Sequence, residues 1–119
     1  MSIIIDKLDG GLSRGVKDTG TNPGIDDYLR FVKEGDVVLN IGVHIGFEGV
    51  VLGKAIGPTG KIFFFEPYHV SYNILVKNIY LNGLQDISTA YNMAAGNKKM
   101  TAYMMIDYGS TGAAGVVTN

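Results

Sequence analysis

The chain has no cysteine. That excludes a disulfide scaffold, a thiolate metal site and a cysteine nucleophile. An excess of positive charge is missing too: ten Lys and Arg stand against eleven Asp and Glu, for a formal net charge of -1. A protein that coats nucleic acid neutralises phosphates with a basic surface, and this composition offers none. Long apolar runs are also absent. Ile3-Ile4-Ile5 meets Asp6 and Lys7 at once, too short for a secretory h-region. Ile62-Phe63-Phe64-Phe65 falls far below the roughly 18 residues of a membrane span. The two histidines, His44 and His69, form no H-x-x-x-H pair, which removes the usual metal signature. None of Ser13, Ser71, Ser88 and Ser110 stands in a G-x-S-x-G elbow, so nothing supports a serine hydrolase. These absences lead us to expect a cytoplasmic protein with neither a membrane nor a nucleic-acid partner.

What is present describes a packed α/β domain. The 119 residues fit one core, and 46% hydrophobic against 18% charged residues exclude a disordered chain. Residues 1–22 read as an N-terminal extension with a short strand-like run at Ile3–Ile5. A helix is expected from Pro23, capped by Asn22, with Ile25, Tyr28, Leu29 and Val32 on one face and Gly35 as its stop. Asp36–Ile41 reads as a buried parallel strand, Phe47–Ile56 as a helix, and Lys61–Glu66 as a second buried strand. A helix over Val70–Asn82 follows, with Gly83 as its C-cap. Ile87–Met93 and Met100–Ile106 read as two more strands, joined in a hairpin across Gly96-Asn97. Alternating strands and helices with short links imply parallel pairing and right-handed crossovers, half of a doubly wound α/β sheet.

Glycine, at 17 residues, is about double its usual 7% share. Part of the excess lies at one place. A strand feeds Gly42-Val43-His44-Ile45-Gly46 and then a helix, which is a ligand-binding arrangement. Gly42 permits a tight turn and Gly46 lets the helix N-terminus approach the strand tip. A dinucleotide fingerprint, G-x-G-x-x-G, needs glycine where His44 stands, so a pyrophosphate has no bare backbone to approach. That demotes a nicotinamide dehydrogenase. Glu66 ends the next strand, where an acid can accept hydrogen bonds from ribose hydroxyls, and Pro67 fixes the backbone after it. The competing reading of Glu66 is an N-cap acid for the following helix. His44 reads as a turn residue facing solvent. Gly46, Gly49, Gly53 and Gly57 share one helix face, which predicts close backbone packing against the sheet.

These residues carry a resemblance. Gly35-Asp36-Val37-Val38-Leu39-Asn40-Ile41-Gly42-Val43-His44-Ile45-Gly46 resembles the first motif of FkbM-type methyltransferases, roughly G-D-x-x-x-D-x-G-A-N-I-G. Gly57-Pro58-Thr59-Gly60-Lys61, Phe65-Glu66-Pro67, Asn78-x-x-x-Asn82-Gly83-Leu84 and Asn92–Gly96 resemble later parts of the pattern, so that residues 23–119 read as a partial domain of this kind. The resemblance implies a Rossmann-like methyltransferase fold, ending after the fourth strand, with S-adenosylmethionine as cofactor and a hydroxyl of a small molecule or sugar as acceptor. It implies that Gly42 and Gly46 shape the cofactor turn and that Val43 and His44 face the methionine moiety with their backbone. Glu66, with Pro67 after it, would hold the ribose, and Asn92, Met93 and Ala94 would lie beside adenine. The family has an acid where this chain has Asn40; losing that charge weakens binding of the cationic methionine end by about 1–3 kcal/mol. The pattern's later D-x-x-K-I-D-V-E-G segment is not found. The alternative is therefore a non-catalytic half-domain that binds a nucleoside or assembles with another chain, and an open sheet edge would favour homo-oligomers. Asp18 and Asp107 are the only candidate bases the sequence suggests, and the loop Asp18–Asn22 is a candidate cover for the methionine end.

Overall fold

A computed structural model describes residues 1–5 and 24–117. The expected cap at Asn22 and Pro23, the loop at Asp18–Asn22 and most of the N-terminal extension lie outside the described residues. A short helix α1 (Ile25–Leu29) follows Gly24. Then come β1 (Val37–Ile41), α2 (Phe47–Ile56), β2 (Lys61–Phe65), α3 (His69–Leu81) and β3 (Ser88–Tyr91). The three strands form one parallel sheet in the order β1-β2-β3, with Leu39 beside Phe63 and Phe64 beside Ala90. No helix among the described residues is long and apolar enough to cross a membrane.

Burial on one face of the sheet explains why these segments take these forms. Ile62 and Phe64 of β2 point at α2 and α3, and they join Val50, Leu52, Ile56, Leu75, Ile79 and Leu84 in a single core. Fully burying an aliphatic or aromatic side chain contributes about 1.5–3 kcal/mol, so this cluster outweighs the weak helix propensity of a glycine-rich α2. The expected glycine stripe is real in its packing but not in its partners. A Cβ on Gly46 would collide with Leu75 Cδ1, one on Gly49 with the Phe64 ring, and one on Gly53 would lie 2.8 Å from Leu84 Cδ1. Side chains, rather than a second backbone, enter the space the glycines leave.

The end of α3 follows a Schellman pattern. Gly83 has φ +68°, Leu84 N–H donates to Ile79 O at 3.0 Å and Gly83 N–H to Tyr80 O at 3.1 Å. Leu84 is thereby turned into the core.

The chain departs from the sequence reading after β3. Met100–Ile106 does not return as a hairpin on its predecessor. A three-residue strand β4 (Tyr103–Met105) pairs antiparallel with β5 (Gly115–Val117), and Met104 faces Val116. β3 cannot extend toward Met93 because Asn92 turns its side chain back on the Glu66 and Pro67 carbonyls. A short 3₁₀ turn at Thr111–Ala113 sits between β4 and β5. The strand-like run at Ile3–Ile5 also differs from expectation: it meets no strand among the described residues, and the side-chain amide of Asn78 takes a strand's place, accepting from Ile4 N–H at 2.6 Å and donating to Ile4 O at 3.0 Å.

Candidate functional site

The carboxyl ends of β1 and β2 lie side by side, as their register requires, because Ile41 is opposite Phe65. The two residues that follow these tips are Gly42 and Glu66. Gly42 has φ +71° and its N–H donates to Phe65 O at 2.9 Å, which holds the start of the turn onto the neighbouring strand. A Cβ at Gly42 would meet nothing within 4 Å, so the turn is open above this residue. Gly46, with φ +89°, closes the turn and caps α2.

Glu66 crosses from the tip of β2 to this turn. Its Oε2 accepts from His44 N–H at 2.7 Å, and its Oε1 accepts from Tyr68 N–H at 2.9 Å. The residue is only 6% exposed. The helix-cap reading is not what the side chain does: Tyr68 is the residue before α3, and the carboxylate spans from there to the glycine turn. Asn92 Nδ2 donates to Glu66 O at 2.8 Å and to Pro67 O at 3.1 Å, so the tip of β3 fixes the backbone that carries this acid.

His44 corrects the expectation of a solvent-facing turn residue. It is 5% exposed and has φ +54°, in a region that non-glycine residues rarely visit. Its Nε2 shares a hydrogen bond with Thr111 Oγ1 at 2.9 Å. The physical reason is distant in sequence: the 3₁₀ turn at Thr111–Ala113 packs on the glycine turn and draws the ring inward. Ser110, Gly112 and Ala113 wall a cleft of about 360 Å³ together with Gly42, Val43, His44, Phe47 and Glu48. Glu48 and the segment around Thr111 are the residues that sequence reasoning missed. Glu48 could have been found, since it lies in the first turn of the helix after Gly46. Thr111 carried no signal.

A second cleft, of about 400 Å³, opens beyond Glu66. Pro67, Met93 and Ala94 line it together with Gly96, Met100 and Met104. Of the assigned positions, Gly42, Val43 and His44 line the first cleft and Pro67, Met93 and Ala94 the second, while Gly46 and Asn92 line neither and Glu66 bridges from the tip of β2 to the glycine turn. Asn40 does not join either one. It sits under the first turn of α2, where a Cβ on Gly49 would lie 2.7 Å from its Nδ2, and it lines a groove on the outer side of β1. That Nδ2 is buried without a hydrogen-bond partner. Asp107 holds a local turn, accepting from Gly109 N–H at 2.9 Å, and is not among the cleft residues. Asp18 lies outside the described residues. The clefts are walled by Glu48 and by Lys98 at the far end, so charge near the glycine turn is negative.

Asn78 supports the turn from beneath. It is fully buried, and its Nδ2 also donates to Ile45 O at 2.8 Å. One side chain thereby joins the N-terminal residues, α3 and the glycine turn.

Comparison with known proteins locates this arrangement. No family model matches the chain, so the FkbM assignment is not confirmed, and no curated protein matches it. Solved structures do match. A Clostridium thermocellum protein provisionally assigned as an rRNA methylase superposes with a TM-score of 0.57 at 25% identity, over 60% of this chain and 38% of that one. An S-adenosylmethionine-dependent O-methyltransferase from Thermotoga maritima gives 0.56 at 25% identity, over 65% and 32%. The fold is Rossmann-like, of the S-adenosylmethionine-dependent methyltransferase type. An S-adenosylmethionine-dependent methyltransferase from Aquifex aeolicus, 21% identical, shares that fold over 73% of this chain and 48% of its own, with a TM-score of 0.51. The chain matches less than half the length of each of these methyltransferases.

Proposed function

We propose that this chain is a methyltransferase module that binds S-adenosylmethionine at the glycine turn and directs the methyl group to a hydroxyl oxygen of a small molecule or sugar. One observation carries the reading: Glu66 reaches the His44 amide across the tips of β1 and β2, between two clefts, in a fold shared with methyltransferases. The residues suit the cofactor. The open space above Gly42 admits a ligand against the backbone, and Glu48 gives the adjoining cleft negative charge, which suits a cation. Pro67, Met93 and Ala94 offer apolar surface of the kind a nucleobase covers.

In this reading Gly42, Val43 and His44 hold the methionine end, Glu66 holds the ribose, and Pro67, Met93 and Ala94 hold the base, with Asn92 fixing the loop. The cofactor supplies an electrophilic methyl on a sulfonium. The chain's own residues bind and orient it, and orientation alone lowers a bimolecular barrier substantially. Deprotonating a hydroxyl acceptor calls for a base near the methyl. The balanced charge, with no basic strip, favours a small acceptor over RNA.

Calorimetric titration with S-adenosylhomocysteine tests the reading. Wild-type chain is expected to bind, and Glu66→Ala to weaken binding at least tenfold while the chain stays folded by circular dichroism. A folded wild type that shows no heat overturns it. A second reading, a nucleoside-binding module without turnover, is favoured by one feature: the acid of the family motif is replaced by Asn40, whose amide lies under α2. Binding without methyl transfer to any hydroxyl acceptor would select it.

A further inference from the structure

Two asparagines on α3 read backbone rather than side chain. Asn82 accepts from Ser2 N–H at 3.2 Å and donates to Ser2 O at 2.7 Å. One helical turn earlier, Asn78 accepts from Ile4 N–H at 2.6 Å and donates to Ile4 O at 3.0 Å. The spacings explain the match. Residues i and i+4 of a helix stand about 6 Å apart along its axis. Residues i and i+2 of an extended segment stand about 6.6–6.8 Å apart. A primary amide offers an acceptor and donors side by side, as the backbone of a neighbouring strand does. Alternate residues of an extended segment therefore fit the two side chains as they would fit a strand. The segment's own side chains contribute little to this seat. Ser2 is exposed, Ile4 is 39% exposed, and of residues 2–4 it is Ile3 that packs against the core.

The seat is tied to the glycine turn. Asn78 Nδ2 also donates to Ile45 O at 2.8 Å, so both of its hydrogens are used. Asn78 is wholly buried, and its amide is oriented by these partners alone. Ile4 decides the orientation. Its N–H needs the amide oxygen, which leaves the nitrogen facing Ile4 O and Ile45 O together. With Ile4 lifted away the amide is free to turn over, and its oxygen then meets the Ile45 carbonyl. That carbonyl belongs to the same peptide unit as Gly46 N–H, which donates to Val43 O at 2.9 Å and closes the turn. We propose that the Asn78–Asn82 ladder is a docking site for extended backbone, that residues 2–4 seat in it reversibly, and that their seating holds the glycine turn closed. A partner strand that pairs with the backbone of residues 2–4 would draw them off α3 and loosen the turn from His44 to Gly46.

Proline at position 4 tests this in the whole chain, since it removes the Ile4 N–H and suits extended backbone. Amide hydrogen exchange reads the local opening. Ile4→Pro is expected to speed exchange at Gly46 by about tenfold relative to Phe64, which is wholly buried in β2. Ile4→Ala keeps the backbone group and is expected to stay within about twofold of wild type. Ser2→Pro removes only the outer rung, at an exposed residue, so it keeps the test alive should Ile4→Pro misfold. It is expected to give a smaller rise at the same amide. The proposal is overturned if Gly46 exchanges no faster in the folded proline variants, if it speeds only in step with Phe64, or if Ile4→Ala acts like Ile4→Pro. The readout needs no ligand. A wild type without affinity for S-adenosylhomocysteine would therefore overturn the cofactor reading alone, and the exchange rates would still decide this one.

Discussion

Asn78 and Thr111 hold the glycine turn in place, Gly49 seats the helix that follows it, and each can be tested alone. Asn78 donates to Ile45 O and exchanges two bonds with Ile4. Replacing it with alanine orphans a buried carbonyl at a cost of about 1–3 kcal/mol. Asn78→Ala should therefore lower the melting temperature by roughly 4–8 °C per kcal/mol lost, as scanning calorimetry would show. Gly49 faces the ring of Phe64, which is wholly buried and cannot yield. Alanine at this position gains about 1 kcal/mol of helix propensity and loses roughly 1–3 kcal/mol to overpacking. Gly49→Ala should thus be net destabilising in urea, and a gain in stability would refute the packing described for it. His44 and Thr111 share a hydrogen bond. Thr111→Val keeps the shape and should cost about 1 kcal/mol, with faster amide exchange over Thr111–Ala113 as the sign that this turn has loosened from the site.

Among the elements, the parallel core was legible in the sequence and the tail was not. β1, α2, β2 and α3 announced themselves through apolar runs of strand length, glycine punctuation and helical spacing, and their bounds agree with expectation to within a residue or so. The proximity of Gly42 and Glu66 was legible as well, because parallel neighbours in register must end side by side. What failed had a common cause in contacts distant along the chain. Nothing near His44 marks it as buried; Thr111 does that. Nothing near Ile3–Ile5 shows that Asn78 supplies its hydrogen bonds. The β4–β5 pairing was hidden because the residues after Asp107 are rich in Gly, Ser, Thr and Ala, with only Val116 and Val117 as a strand signal. The helix stop at Gly83 offers a check at this scale. Alanine at φ +68° costs about 1–2 kcal/mol, so Gly83→Ala should fray α3 and lower stability by that amount in urea titration.

At the largest scale, the described residues form one layer of helices on one face of a three-stranded sheet. The face that carries Leu39, Ile41 and Phe65 has only the Phe65–Tyr91 stack, with ring centroids 5.0 Å apart, as described packing of its own. The segment from β4 to β5 instead lies at the carboxyl end of the sheet and walls both clefts. Site and stability are therefore coupled: the residues that shape the clefts also complete the packing around His44. A ligand that settles in the clefts should protect these short elements most. Hydrogen exchange in the presence of S-adenosylhomocysteine should slow first at Thr111–Ala113 and at the β4–β5 pair. Uniform slowing would argue against binding at this end of the sheet.

The Asn78 side chain has a consequence that reaches away from the clefts. Because one amide grips both Ile4 and the carbonyl of Ile45, any tightening of that carbonyl is felt forty-one residues away at Ile4. The Ile4 amide is thus a remote gauge of occupancy: its nuclear magnetic resonance line should move on titration with a ligand it never touches, and should fall silent in Asn78→Ala.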